Sequence, residues 1–178
     1  MILGAVLAGG RSTRFGSDKA LAEIGGHTLL SLAVDALSGW CEQVVVTGRE
    51  TAPASTLPDW PHADMGPLGG LAAAMRLAQD EGYTQVLSCG VDGGLLPDDL
   101  LERLGEAPAC VASQPIIGIW PVTATATLET LLHSEESHSM RRFAELVGAR
   151  GIELPAPIAN INTPADLAAL VGRRGLAG

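Results

Sequence analysis

Short runs of apolar residues alternate with amphipathic stretches along the 178 residues of this chain. Apolar runs bounded by turn residues are typical of buried strands, and they predict strands at about residues 2–7, 43–47, 84–91, 109–112, 116–120 and 152–154. Apolar residues spaced three and four apart predict helices at about residues 28–37, 68–79, 97–104, 123–133, 139–147 and 163–170. This alternation favours a mainly parallel sheet with helices packed on it.

The length of the chain fits one α/β domain with a single substantial core. Apolar residues make up 47% of the sequence and aromatic residues only 3%, so the core must consist mostly of Leu, Val, Ile and Ala. We expect one domain over residues 1–171, a long surface connection at residues 49–66, which are rich in Pro, Thr and Ala, and a loose tail at residues 172–178.

The formal net charge of −9 argues against nucleic acid or an anionic membrane as a partner. The apolar start is too short for a signal peptide, and no run reaches the length of a membrane span, so we expect a cytoplasmic protein. The three cysteines are widely separated, and the four histidines show no metal-binding spacing. We therefore expect neither a disulfide nor a zinc or histidine metal site.

The stretch from Leu7 to Ala20, LAGGRSTRFGSDKA, carries the strongest signal for chemistry. It follows the first predicted strand, and Gly9 and Gly10 allow a tight turn with bare backbone N–H groups. Arg11, Arg14 and Lys19 follow within ten residues, and Lys19 is the only lysine of the chain. Bare N–H groups and convergent cations are suited to a polyphosphate, although the spacing fits neither a P-loop nor the dinucleotide fingerprint.

Three further stretches carry polar or glycine-rich signals. Asp92 ends a predicted buried strand at the sheet edge where ligands bind, and a lone carboxylate facing phosphates is a natural Mg²⁺ ligand. The GPLGG run from Gly66 begins a predicted helix, and it suits either nucleotide binding or ordinary helix packing. Asn160 and Asn162 are two apart in an extended segment, so their amides either face a ligand together or serve a turn.

The first of these stretches closely resembles the signature L-A-G-G-x-S-x-R-[MF]-G-x-D-K of the molybdenum cofactor guanylyltransferases. The later motifs, above all NINTPADL at residues 160–167, extend the resemblance over nearly the whole chain. The resemblance implies a three-layer α/β/α Rossmann-like nucleotidyltransferase fold with a mainly parallel central sheet. It also implies transfer of GMP from Mg²⁺-GTP to (molybdo)molybdopterin with release of pyrophosphate, and transient contact with proteins of molybdenum cofactor biosynthesis or insertion.

The resemblance assigns roles to individual residues. Lys19 and Arg14 are expected to neutralise the triphosphate, and Asp92 is expected to hold Mg²⁺. The acceptor is expected to lie near Asn160, Asn162 and Gly118. The expected nucleotide contacts, besides Lys19, are Leu7, Ala8, Gly9, Gly10, Asp64, Gly66, Pro67 and Leu68.

Two departures from the family pattern leave alternatives open. Gly94 stands where proline is usual, which predicts a more flexible metal loop, and Gln114 replaces a histidine. One alternative is a related nucleotidyltransferase that uses CTP or another acceptor, although the two adjacent glycines of Leu7-Ala8-Gly9-Gly10 favour GTP, because the CTP users usually have L-A-A-G at these four positions. The other is a nucleotide- or pterin-binding protein without turnover.

Overall fold

The computed structural model describes residues 1–10 and 18–175. Within these residues the strands are β1 (Ile2–Leu7), β2 (Glu23–Ile24), β3 (His27–Thr28), β4 (Gln43–Thr47), β5 (Ser55–Leu57), β6 (Gln85–Gly90), β7 (Ala109–Val111), β8 (Gln114–Pro121) and β9 (Arg150–Ile152). The α-helices are α1 (Leu29–Ser38), α2 (Gly66–Asp80), α3 (Leu100–Leu104), α4 (Thr125–Leu132), α5 (Met140–Leu146) and α6 (Pro164–Gly175).

Seven strands form one sheet in the order β5-β4-β1-β6-β8-β7-β9. Strands β5, β4, β1 and β6 are parallel, β8 runs antiparallel to β6 and β7, and β9 is parallel to β7. Helices α2, α4 and α5 cover one face of the sheet, and α1 and α3 cover the other. The prediction of a three-layer α/β/α fold with a mainly parallel sheet is confirmed.

Two small elements of the fold are not predicted by the sequence pattern. Strand β5 has only three residues and lies inside the predicted surface connection, where it pairs with β4. The β2–β3 hairpin turns at Gly25 and Gly26, which have φ angles of 59° and 82°. Positive φ at both turn positions is typical of tight hairpins and needs glycine, but strands of two residues are too short to show a hydrophobic period.

Two predicted helix boundaries were wrong. Helix α3 begins at Leu100, so Asp98 and Asp99 precede it instead of lying in its first turn. Helix α6 runs to Gly175, so residues 172–175 of the expected loose tail are helical. At the start of α6, Thr163 Oγ1 accepts from the Asp166 N–H at 3.1 Å and Asp166 accepts from the Thr163 N–H at 2.8 Å, which is a capping box. No helix in the described ranges is long and apolar enough to cross a bilayer.

Candidate active site

The parallel strands β4, β1 and β6 end at one edge of the sheet. Leu7 at the end of β1 is in register with Thr47 of β4 and with Gly90 of β6. Ligands of open α/β sheets bind at the carboxyl ends of the strands, where loops from neighbouring strands meet. Two clefts open at this edge, and both are lined by Gly9 and Gly10.

The first cleft, called the β6 cleft, has a volume of about 440 Å³ and lies between the ends of β1 and β6 and the start of β8. The second, called the β4 cleft, has a volume of about 940 Å³ and lies between the ends of β1, β4 and β5 and the start of α2. Gly48 has a φ of 77°, and a Cβ there would overlap the backbone of Gly9. Because both positions are glycine, the loops after β1 and β4 can contact each other through their backbones where they cross, and this crossing lies between the two clefts.

Lys19 and Asp92 form an ion pair in the β6 cleft, with 3.0 Å between Lys19 Nζ and Asp92 Oδ2. Their side chains are only 14% and 16% exposed. Lys19 opens a single 3-10 turn, and Asp18 caps this turn by accepting from the Ala20 N–H. Burial raises the pKa of Asp92, while the Lys19 ammonium and the Ile161 backbone N–H oppose this increase.

The second oxygen of Asp92 makes this residue suitable for a cation. Asp92 Oδ1 is buried and has no hydrogen-bond partner within residues 1–10 and 18–175. In the same residues, no three His, Cys, Asp or Glu side chains are grouped to hold a metal ion. Mg²⁺ often uses one or two carboxylates and completes its shell with phosphate oxygens and water. A carboxylate that lines a cleft of about 440 Å³, which has room for phosphate groups, fits that mode of binding.

Gly93 and Gly94, which follow Asp92, are in close contact with neighbouring residues and do not form a flexible loop. Residues Val91–Leu95 form a 3-10 helix against α1. A Cβ on Gly94 would lie 2.9 Å from the backbone carbon of Leu32, and one on Gly93 would overlap Cys89 Sγ. The expectation that Gly94 loosens the metal loop is therefore wrong, because glycine here allows the loop and α1 to approach closely.

Replacing Gly94 with alanine should lower stability. Overpacking a close contact costs about 1–3 kcal/mol, which corresponds to about 2–12 °C in Tm for a domain of this size. A suitable control is Gly172→Ala in α6, because a Cβ there meets no atom within 4 Å and alanine favours helix. Thermal unfolding of both variants tests the packing. An unchanged Tm for Gly94→Ala would mean that the loop after β6 and α1 can accommodate a Cβ at this position.

The GPLGG run turns out to serve both packing and the β4 cleft. Gly66 and Asp64 line the cleft, whereas Pro67 is exposed and Leu68 is fully buried in the core. Met65, the N-cap residue of α2, makes no side-chain capping bond, so this residue satisfies none of the backbone donors in the first turn of the 15-residue helix. The packing role applies to the last two glycines, since a Cβ on Gly70 would overlap Thr47 Oγ1.

Asp59 is a cleft residue that sequence reasoning missed. It lines the β4 cleft, and its buried Oδ1 has no hydrogen-bond partner in the described part of the chain. Burial, and secondarily the nearby Asp64 carboxylate, raise its pKa. Asp59 lies within the predicted surface connection, and no sequence pattern distinguishes it from the exposed Asp64, which the resemblance marks as a nucleotide contact.

A second missed feature joins the two clefts. Arg49 follows β4 and lines the β4 cleft, while Asp18 lines the β6 cleft. Arg49 Nη1 donates to Asp18 Oδ1 at 2.9 Å and Nη2 donates to Oδ2 at 2.6 Å. This bidentate pair lowers the pKa of Asp18. Asp18, which precedes Lys19, and Arg49, which follows Gly48, are thus held together.

The expected acceptor residues are only partly brought together. Asn160 lines the β6 cleft, and so does Gln114, whose Nε2 donates to the Ile158 carbonyl at 3.2 Å. Asn162 is exposed and does not line either cleft, and its backbone N–H donates to Asp166. Gly118 is buried within β8 under the Trp120 ring, so its small size serves packing rather than ligand contact.

The remaining arginines near the motifs are Arg141 and Arg142, which precede β9, and Arg11 and Arg14 of the first loop. Arg142 is paired with Glu136 and Glu145 on the solvated face of α5, so two carboxylates already balance its charge. Arg141 is exposed, 3.4 Å from the Ala112 carbonyl. Arg14 and Arg11 lie outside the described residues. Leu7, Ala8, Gly9 and Gly10 line the β6 cleft together with Lys19 and Asp92.

Comparison with known proteins agrees with this arrangement. Residues 4–152 match the family model of the MobA-like NTP transferase domain. The molybdenum cofactor guanylyltransferase of Acidiphilium cryptum is 38% identical over 94% of this chain and 93% of its own length. The enzyme of the same name from Rhizobium johnstonii is 36% identical over 93% and 90%. The crystal structure of molybdopterin-guanine dinucleotide biosynthesis protein A from Archaeoglobus fulgidus superimposes with a TM-score of 0.76 at 18% identity, covering 98% and 99% of the two chains.

Proposed function

The chain belongs to the MobA-like NTP transferase family, and from this premise we propose that it is a molybdenum cofactor guanylyltransferase. The reaction transfers GMP from GTP to the terminal phosphate of molybdopterin and releases pyrophosphate. The acceptor phosphate attacks the α-phosphorus in line, so that the protein contributes positioning and charge stabilisation rather than covalent chemistry. The enzyme works in the cytoplasm, with transient contact with proteins that make or insert the cofactor.

The observation that carries the proposal is the Lys19–Asp92 pair in the β6 cleft. Lys19 is a compact ammonium that can move from Asp92 to the triphosphate, and Arg14 adds a second positive charge to the phosphates. Asp92 would hold Mg²⁺ through its unpartnered Oδ1. Bound there, the ion would neutralise charge on the phosphate oxygens. The backbone of residues 7–10 lies along the same cleft and donates to the nucleotide.

The β4 cleft is suited to the base. Asp59 Oδ1 is a buried acceptor without a partner in the described ranges, and the edge of guanine presents the N1–H and N2–H donors. Cytosine and adenine offer an exocyclic amino group without a neighbouring ring N–H, so they would give this carboxylate one hydrogen bond in place of two. A buried polar group that loses one of its hydrogen bonds disfavours the wrong substrate. Asp59 therefore selects GTP in this proposal, and Asp64 and Gly66 contact the nucleotide at the mouth of the cleft.

The far side of the β6 cleft would receive the acceptor. Gln114 and Asn160 supply amide groups there, and Ile116, Ile117 and Met140 supply an apolar wall. A flat heterocycle with polar edges, such as a pterin, is matched by amides beside an apolar surface. The exposed Asn162 and the buried Gly118 have no part in this proposal.

Nucleotide-dependent thermal stabilisation tests the choice of nucleotide. A ligand that binds the native state raises Tm with concentration, so GTP with Mg²⁺ should raise it while CTP, ATP and UTP should not. Asp59→Asn should lose at least tenfold in the preference for GTP over CTP, whereas Asp64→Asn, an exposed neighbour in the same cleft, should change it by less than threefold.

Pyrophosphate release in the presence of GTP and molybdopterin then tests transfer. A shift with CTP instead of GTP would identify the cytidylyl relative, and GTP binding without pyrophosphate release would identify a binding protein without turnover. No shift with any nucleotide would overturn the assignment of both clefts.

A further inference from the structure

The ion pair between Arg49 and Asp18 connects the two clefts through a short chain of contacts. Arg49 borders the β4 cleft, and both of its Nη atoms are used by Asp18. Asp18 immediately precedes Lys19, whose ammonium reaches Asp92 in the β6 cleft. The guanidinium at one cleft is therefore bound to the side chain of the residue that directly precedes the lysine at the other cleft.

Asp18 controls the backbone on which Lys19 is presented. Its Oδ1 accepts from the Ala20 N–H at 3.2 Å and from Arg49 Nη1 at 2.9 Å. The same carboxylate thus caps the 3-10 turn that begins at Lys19 and anchors it to the loop after β4. With a carboxylate fixed by two bonds from Arg49, the turn has one orientation relative to the sheet edge.

The third donor of Arg49 is left for a ligand. Arg49 Nε is buried and has no hydrogen-bond partner within the residues that the structure describes. The side chain is 19% exposed, and it lines the cleft assigned to the base. A buried donor without a partner is costly, so an acceptor atom of a bound nucleotide would stabilise the guanidinium where it already lies.

We propose that Arg49 is a positioning residue that couples nucleotide binding in the β4 cleft to the placement of Lys19 in the β6 cleft, through Asp18. Nε–H donates to the nucleotide, while the two Nη atoms hold the carboxylate that orients the Lys19 turn. The inference rests on the proposed function, because it takes the ligand of both clefts to be one nucleoside triphosphate.

The proposal requires arginine at position 49. Only the planar guanidinium presents two parallel donors to a carboxylate and a third donor in another direction. Lysine keeps the charge and loses this fork, so Arg49→Lys separates geometry from charge. Asp18→Asn removes the ion pair from the other side and leaves Arg49 at the β4 cleft.

Binding of GTP and of GMP, measured by isothermal titration calorimetry, distinguishes positioning from simple contact. GMP lacks the β- and γ-phosphates that Lys19 would neutralise. Both Asp18→Asn and Arg49→Lys should therefore weaken GTP by about tenfold, since a charge-assisted bidentate bond is lost, and GMP by no more than about threefold. The matched control is Arg103→Lys, which alters the exposed Arg103–Asp99 pair and should leave both affinities unchanged.

A double-mutant cycle with Lys19→Ala, in which GTP affinity is measured, gives a second test of the coupling. If Arg49 acts on Lys19 through Asp18, Asp18→Asn should cost little further GTP affinity once Lys19 is alanine, and Arg49→Lys should then cost no more than the threefold loss of its own nucleotide contact. Equal weakening of GTP and GMP, or losses that multiply in the double variant of Asp18→Asn and Lys19→Ala, would overturn the coupling.

The proposed function fails in a different way. It fails if the unaltered protein does not bind GTP selectively, or if Lys19→Ala alone leaves GTP affinity and turnover unchanged. Wild-type affinities in both Asp18→Asn and Arg49→Lys, with a normal effect of Lys19→Ala, would overturn only the role of Arg49.

Discussion

Replacing Asp92 with alanine should reduce guanylyl transfer by about a thousandfold or more. The change removes a buried carboxylate oxygen that has no hydrogen-bond partner among residues 1–10 and 18–175, and it also removes the partner of the Lys19 ammonium. Deleting one group that stabilises developing charge typically costs 10²–10³ in kcat, and here a cation ligand would be lost as well. Pyrophosphate release at saturating GTP and molybdopterin measures the loss.

Binding of Mn²⁺ in the presence of GTP, followed by electron paramagnetic resonance, gives a readout that does not depend on turnover. Asp92→Ala should weaken this binding, whereas Asp98→Ala, which alters an exposed carboxylate six residues later, should change neither binding nor turnover. Metal-dependent turnover that survives in Asp92→Ala would rule out the proposed role of this carboxylate.

Lys19→Ala should lower turnover by at least tenfold and up to about a thousandfold. Lys19 is the only lysine of the chain, and its ammonium lies in the cleft where β1 and β6 end. A positive charge that meets the triphosphate stabilises the charge that shifts to the leaving pyrophosphate. Single-turnover measurements at saturating GTP separate this effect from weaker binding.

The matched variant is Lys19→Arg, which keeps the charge and replaces a compact ammonium with a planar fork. We expect its turnover to fall between those of the wild type and Lys19→Ala. Binding of Mn²⁺ by Lys19→Ala should remain, because Asp92 is retained and loses its competing ion-pair partner. Turnover of Lys19→Ala close to that of the wild type would remove lysine from the reaction.

Much of the site could be predicted because it is local in the sequence. The glycines after β1, the lysine that follows them and the aspartate after β6 are each adjacent to a buried strand that the apolar pattern predicts. Parallel strands share one carboxyl edge, so residues that follow them were expected to meet there. The structure brings Lys19 and Asp92 to that edge, 73 positions apart in the chain.

Other features depend on contacts between distant segments and leave no local pattern. Asp59 and Asp64 look equivalent in the sequence, and burial at the β4 cleft alone distinguishes them. Gly94 looks like a flexible substitute for proline, yet it is required by the closeness of the Leu32 backbone. The pairing of Arg49 with Asp18 likewise follows from the crossing of the loops after β1 and β4.

The amino-acid sequence by itself determined the α/β class, the main strands and the stretch of chain that carries the chemistry. These properties follow from hydrophobic period and from short-range backbone preferences, which each segment expresses on its own. The tertiary structure decided which carboxylates are buried, which charges are paired and which glycines are contacts. Those properties depend on how closely segments that are far apart in the sequence approach each other, and this is defined only once the chain is packed.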